Sequence, residues 1–190
     1  MEKEKKKLAV IFPGIGYHAD KPLLYYARML ARACGYETVE ASYGGFDKGI
    51  KGNAEKMRKA FAEADRQAEA LLQDIDFAAY DSLLFLSKSI GTAVASAYAH
   101  RHGYRPAHIY FTPVEASFAV MKGAGEGIVF HGTADPWADT EAVRRACREL
   151  DLPLYVTMDA NHSLETGDAL RDLQTMTEVM QRCASFIGHI

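Results

Sequence analysis

Cysteine is scarce in this chain: Cys34, Cys147 and Cys183 are the only three in 190 residues. They are odd in number, far apart and set in helix-like patterns. They read as reduced core thiols of a cytoplasmic protein, neither a disulfide framework nor a catalytic centre. Long hydrophobic runs are also missing, and nothing approaches the ~18 apolar residues that a membrane span needs. A basic excess is absent too, since the formal net charge is -3, so the composition carries no nucleic-acid signature. The start, MEKEKKK, is followed by too short an apolar run for a secretory signal and reads as a solvated leader to a first strand. No internal repeat, low-complexity tract or linker divides the chain, so residues 1–190 are expected to form one domain.

What is present is an alternation. Short apolar runs, LAVIF (8–12), TVEASY (38–43), SLLFLS (82–87), AHIYFT (107–112), GIVFHG (127–132) and PLYVTM (153–158), are continuous rather than alternating. That suits strands buried on both faces of a parallel sheet. Helical patterns separate them at 21–34, 54–73, 89–102, 140–150 and 168–187. In the first, Leu23, Leu24, Ala27, Leu30, Ala31 and Cys34 share one stripe, and Gly35 follows as a stop. Strand–helix alternation predicts an α/β three-layer sandwich with right-handed crossovers. Two stretches, 44–53 and 113–126, read as long loops.

The stretch IFPGIGYHAD (11–20) spells G-x-G-x-x-A through Gly14, Gly16 and Ala19, a permitted dinucleotide fingerprint. That reading requires a helix to start inside the fingerprint, so that its N-terminus meets the pyrophosphate. Here Asp20 reads as the N-cap and Pro22 as a first-turn residue. Residues 13–20 are then a loop too long for that turn. Glu37 and Glu40 are also poorly placed for a ribose contact.

The third apolar run leads straight into SKSIG (87–91) and then a helix. This resembles the G-x-S-x-G nucleophile elbow of the α/β-hydrolase family, with Ser87 in place of the first glycine. The turn needs small residues two before and two after the nucleophile, and Ser87 and Gly91 meet that demand. A serine capping a helix after a strand would look similar, so the rest of the chain matters. The family orders its triad Ser, acid, His. Asp135 lies just past the fifth strand in HGTADPWAD, and His162 lies past the sixth in DANHSLE. Asp139 competes with Asp135 but reads better as a helix cap. His131 falls at a strand end.

The resemblance implies a serine hydrolase without metal or cofactor, acting on a small-molecule ester or thioester, with neither nucleic acid nor membrane as partner. Ser89, Asp135 and His162 would be the triad. Backbone N–H groups of Ile15 or Gly16, and of Ile90, would form the oxyanion hole. Tyr17, His18, Phe46, Phe118 and Trp137 are candidates for the substrate pocket. It further implies six mostly parallel strands in the order 2-1-3-4-5-6 with helices on both faces, no cap domain, and no counterpart of the family's two leading antiparallel strands. Amide or C–C hydrolysis on the same triad, a non-catalytic binding protein on the same fold, and the dinucleotide reading stand as alternatives, because fold does not settle function.

Overall fold

The structure is a computed structural model that describes residues 5–47, 49–50 and 53–190. The first four residues of the charged leader, and residues 48, 51 and 52 of the expected 44–53 loop, lie outside the described residues.

Six strands form one sheet: β1 (Lys7–Phe12), β2 (Tyr36–Glu40), β3 (Ser82–Lys88), β4 (Ala107–Phe111), β5 (Gly127–Gly132) and β6 (Leu154–Thr157). Every pairing is parallel, in the order β2-β1-β3-β4-β5-β6. The helices are α1 (Pro22–Ala33), α2 (Ala54–Leu72), α3 (Ile90–His102), α4 (Phe118–Met121), α5 (Thr140–Glu149) and α6 (Ala169–Ile187). Among the described residues no helix is long and apolar enough to cross a membrane.

Side chains alternate across each strand, so both faces of the sheet are apolar. In β1, Ala9 and Ile11 pack with Leu23 and Leu24 of α1 and Val179 and Cys183 of α6. Leu8, Val10 and Phe12 point the other way, toward Ala64 and Ala68 of α2 and Val94 and Tyr98 of α3. Val143 and Cys147 of α5 cover Tyr110 and Val129 farther along that face. Helix α3 is buried nearly all round, from Ile90 to Ala99, because its Gly, Ala and Ser residues let it lie close to the sheet.

Several expectations need correction. Strand β2 ends at Glu40, not 43: the Ala41 N–H still bonds Ile11 O at 2.9 Å, but the chain then leaves the sheet. Cys34 is exposed, unlike Cys147 and Cys183. It sits at the C-cap of α1 with φ -91° and ψ 12°, where the backbone leaves the helix. Residues 113–126 are not one loop but hold a 3₁₀ turn (Glu115–Ser117) and α4. Asp20 does not cap α1; Lys21 takes that position without a side-chain cap. The Tyr17 hydroxyl instead accepts the Leu23 N–H at 3.1 Å, and Asp20 pairs with Arg28 at 2.9 Å.

Candidate active site

Strand β3 delivers Ser89 at the C-terminal edge of the sheet, with its N–H bonded to Phe111 O at 3.0 Å. Ser89 has φ 56° and ψ -126°, a conformation an L-residue adopts only under constraint. The constraint is close packing. A Cβ on Gly91 would sit 2.2 Å from Phe12 O and 2.4 Å from Pro13 O, so α3 can start against β1 only with glycine there. Ser87 tolerates its side chain because the buried Oγ donates to Ile109 O at 3.3 Å. Ser89 stands at the N-cap position of α3, yet its side chain makes no capping bond.

Its hydroxyl turns to histidine instead. Ser89 Oγ lies 2.8 Å from His162 Nε2, and His162 Nδ1 lies 2.7 Å from Asp135 Oδ2. An ionised carboxylate only accepts, so Nδ1 carries the proton and Nε2 is left to accept from Ser89. Asp135 Oδ1 is held by the Trp137 N–H at 2.9 Å. The histidine loop is pinned from both sides: Thr112 Oγ1 donates to His162 O at 2.9 Å, and Asn161 Oδ1 accepts the Ser163 and Glu165 N–H groups. Burial pushes the His162 imidazole below the ordinary histidine pKa, and the Lys88 charge adds to that lowering. The hydrogen bond to Asp135 opposes it. Asp139 accepts the Ala142 N–H and caps α5. His131 Nδ1 faces Asp135 Oδ2 from 4.0 Å and its Nε2 lies 3.0 Å from Thr140 Oγ1, so it flanks the acid without joining the chain to Ser89.

Above the serine, Gly14 and Tyr17 exchange two backbone hydrogen bonds of 3.1 Å, folding residues 14–17 into a tight hairpin. Gly16, at φ 71°, supplies its left-handed corner. The Tyr43 hydroxyl donates to Pro13 O at 2.6 Å and fixes the loop's base. The N–H groups of Ile15, Gly16 and Ile90 have no partner among the described residues.

A cavity of about 480 Å³ opens between this hairpin and the histidine loop, and Ile15, Gly16, Tyr17, Ser89, Ile90, Trp137 and His162 all line it. The Trp137 ring lies 5.7 Å from that of His162. Three expected pocket residues sit elsewhere. His18 is exposed outside the cavity. Phe46 packs in the cluster with Ile50, Met57 and Ile90, behind residues that do line it. Phe118 is turned into the core beside Met121 and Val143 by the short helix at its position. Sequence reasoning overlooked Lys88 and Lys21, which also line the cavity. A larger cleft, about 600 Å³, lies by Gly127 and Pro153 at the opposite, N-terminal edge of β5 and β6, away from Ser89. Among the described residues no group of three His, Cys, Asp or Glu side chains is arranged to hold a metal ion.

An all-parallel α/β sandwich with serine, histidine and aspartate meeting at the carboxyl ends of its strands defines a class of architecture in which ligands bind at that edge. The particular member of that class is the α/β-hydrolase fold. Est1E from Butyrivibrio proteoclasticus matches with a TM-score of 0.66 at 13% identity, over 98% of this chain and 90% of that one. An α/β serine hydrolase homologue from Coxiella burnetii matches with 0.65 at 15%, over 95% and 86%. A lidless α/β serine hydrolase from Xanthomonas campestris matches with 0.60 at 16%, over 97% and 82%. No family model and no curated protein matches the sequence.

Proposed function

We propose that the protein is a serine hydrolase that cleaves a small carboxylic ester or thioester through an acyl-serine intermediate. The observation that carries this reading is the unbroken hydrogen-bonded chain from Ser89 through His162 to Asp135 on a serine held at φ 56°. Ser89 Oγ attacks the carbonyl carbon as His162 Nε2 takes its proton. Asp135 holds the tautomer and stabilises the imidazolium. The carbonyl oxygen becomes an oxyanion, received by the N–H of Ile90 and that of Ile15 or Gly16. His162 then protonates the departing alkoxide or thiolate. A water enters, gives its proton to His162 and releases the acid, restoring Ser89. The esterase and serine-hydrolase descriptions of the structural neighbours support the same chemistry.

A fluorophosphonate probe tests it. The wild type is expected to be labelled and Ser89→Ala is not. Absence of labelling in a folded wild type overturns the reading.

A further inference from the structure

Strand β3 carries no charged side chain until its last residue, Lys88, which directly precedes the nucleophile. A terminal lysine normally reaches for water. This one is fully buried, and its ammonium has no hydrogen-bond partner among the described residues. It lies 5.0 Å from the centroid of the Tyr17 ring, and Lys21 Nζ lies 5.2 Å from the same centroid. The hairpin confines the stem: a Cβ on Gly14 would stand 3.4 Å from Lys88 Cγ. Both lysines line the cavity beside Ser89 and His162.

The charges acting on Lys88 are Asp135, Lys21 and Glu165. Asp135 is already committed on both oxygens, to His162 and to the Trp137 N–H. Glu165 is exposed, and Lys21 repels. The cavity's own carboxylate, Asp47, is exposed as well. A cation taken out of water without a partner is strongly disfavoured, and an aromatic ring offsets only part of that. A buried charge also acts over longer range than an exposed one, because little water lies between it and its target. Among the described residues, an anion placed in the cavity therefore meets two ammonium groups and no equally buried, uncommitted carboxylate.

We propose that Lys88, with Lys21 beside it, makes this site select esters or thioesters that carry a carboxylate near the scissile bond. The inference rests on the acyl-serine reading above and names its substrate class. Lys88 is thus a specificity residue: it supplies the counter-charge for the substrate.

Four nitrophenyl substrates test this. The acyl arm compares p-nitrophenyl hexanoate with p-nitrophenyl hydrogen adipate. The leaving-group arm compares p-nitrophenyl hexanoate with the hexanoate ester of 3-carboxy-4-nitrophenol, each corrected for its uncatalysed rate. At pH 6 the wild type is expected to favour the anionic member of at least one pair by about tenfold or more in kcat/KM, through a charge–charge attraction that little water screens. In Lys88→Met that ratio is expected to fall to about one, whatever happens to the absolute rates. Equal rates on both pairs in the wild type, or a ratio unchanged in a Lys88→Met protein with wild-type circular dichroism, would overturn the proposal.

Where Lys88→Met does not fold, the wild type decides through pH. Burial pushes the Lys88 ammonium down to about 7, so the charge is present at pH 6 and lost by pH 9, while the substrate carboxylate stays ionised throughout. The anionic preference should shrink across that interval, and a constant preference counts against Lys88. A wild type that neither reacts with the fluorophosphonate probe nor cleaves any ester refutes the hydrolase reading itself, a result distinct from a labelled enzyme without charge preference.

Discussion

Two sets of loops flank Ser89 and satisfy their polar groups differently. On the side of Asp135 and His162, the reacting atoms are bonded in sequence, and Thr112, Asn161 and the Trp137 N–H hold the members in place. Among the described residues the one buried side-chain atom there without a hydrogen-bond partner, His131 Nδ1, still faces Asp135. On the side of residues 13–17, the N–H groups of Ile15, Gly16 and Ile90 and the ammonium of Lys88 have no hydrogen-bond partner among the described residues. A proton relay works best when its geometry is fixed before substrate arrives. A surface that receives negative charge works best when its donors are unspent until the charge develops. Under the proposed reaction, the paired side moves the proton and the unpaired side stabilises the anion.

Breaking the paired side should have the largest effect. Ser89→Ala and His162→Ala are expected to lower kcat on an activated ester by about 10⁴–10⁶-fold, and Asp135→Asn by about 10⁴-fold, because the amide favours the wrong tautomer. Asp139→Asn should change kcat little, since asparagine caps a helix as well as aspartate does. A neutral Asp135→Asn together with a crippled Asp139→Asn would move the acid to Asp139.

The pivot shared by both sides comes next. Gly91→Ala would force a methyl to within 2.2 Å of Phe12 O, a backbone atom that cannot swing aside. We expect a destabilisation of about 3 kcal/mol or more, read as a fall in Tm. An unchanged Tm would mean that the elbow is not locked by contact between α3 and β1.

How far the sequence disclosed this division follows from the range of the interactions involved. The four inner strands were legible because burial on both faces writes a continuous apolar run into each, whereas the edge strands β2 and β6 are only partly buried. The order of Ser89, Asp135 and His162 was legible because each follows a strand end, and parallel strands bring such ends to one edge. Helix α4 was not, since four residues span too few turns to display a period. Phe118 and Phe46 looked free in long loops, but their side chains fold into clusters formed with α3, α5 and α2. Lys88 drew no reading from the sequence. Its burial depends on a hairpin more than 70 residues earlier folding Tyr17 over it, which no local pattern records.

A smaller effect should come from crowding the unpaired side. A Cβ on Gly14 would lie 3.1 Å from Ser89 Cβ and 3.2 Å from Lys88 O, a tight fit that the hairpin can partly relieve by shifting. Gly14→Ala is expected to reduce kcat by roughly 10–10²-fold, less than the full loss of an oxyanion donor. It should leave the rate of change with pH on the acid side alone, because the histidine pair is untouched. A variant with wild-type kcat would separate the hairpin from the reaction.

The smallest effect sharpens the comparison most, because it asks whether the two sides communicate. His162 must be neutral to take the proton from Ser89, so kcat/KM on a neutral ester falls as pH drops through the His162 pKa of the free enzyme. Burial holds that pKa below the ordinary histidine value, and the activity should therefore persist to lower pH than an exposed histidine would allow. The Lys88 charge contributes to the same lowering, since a neighbouring cation disfavours the imidazolium. Lys88→Met removes that repulsion while burial and the Asp135 hydrogen bond remain. The acid limb of the profile should then move upward, toward the ordinary histidine range. A limb that stays in place would show that the unpaired ammonium acts on the cavity alone, and a limb that moves downward would reverse the sign of the coupling between the two sides of Ser89.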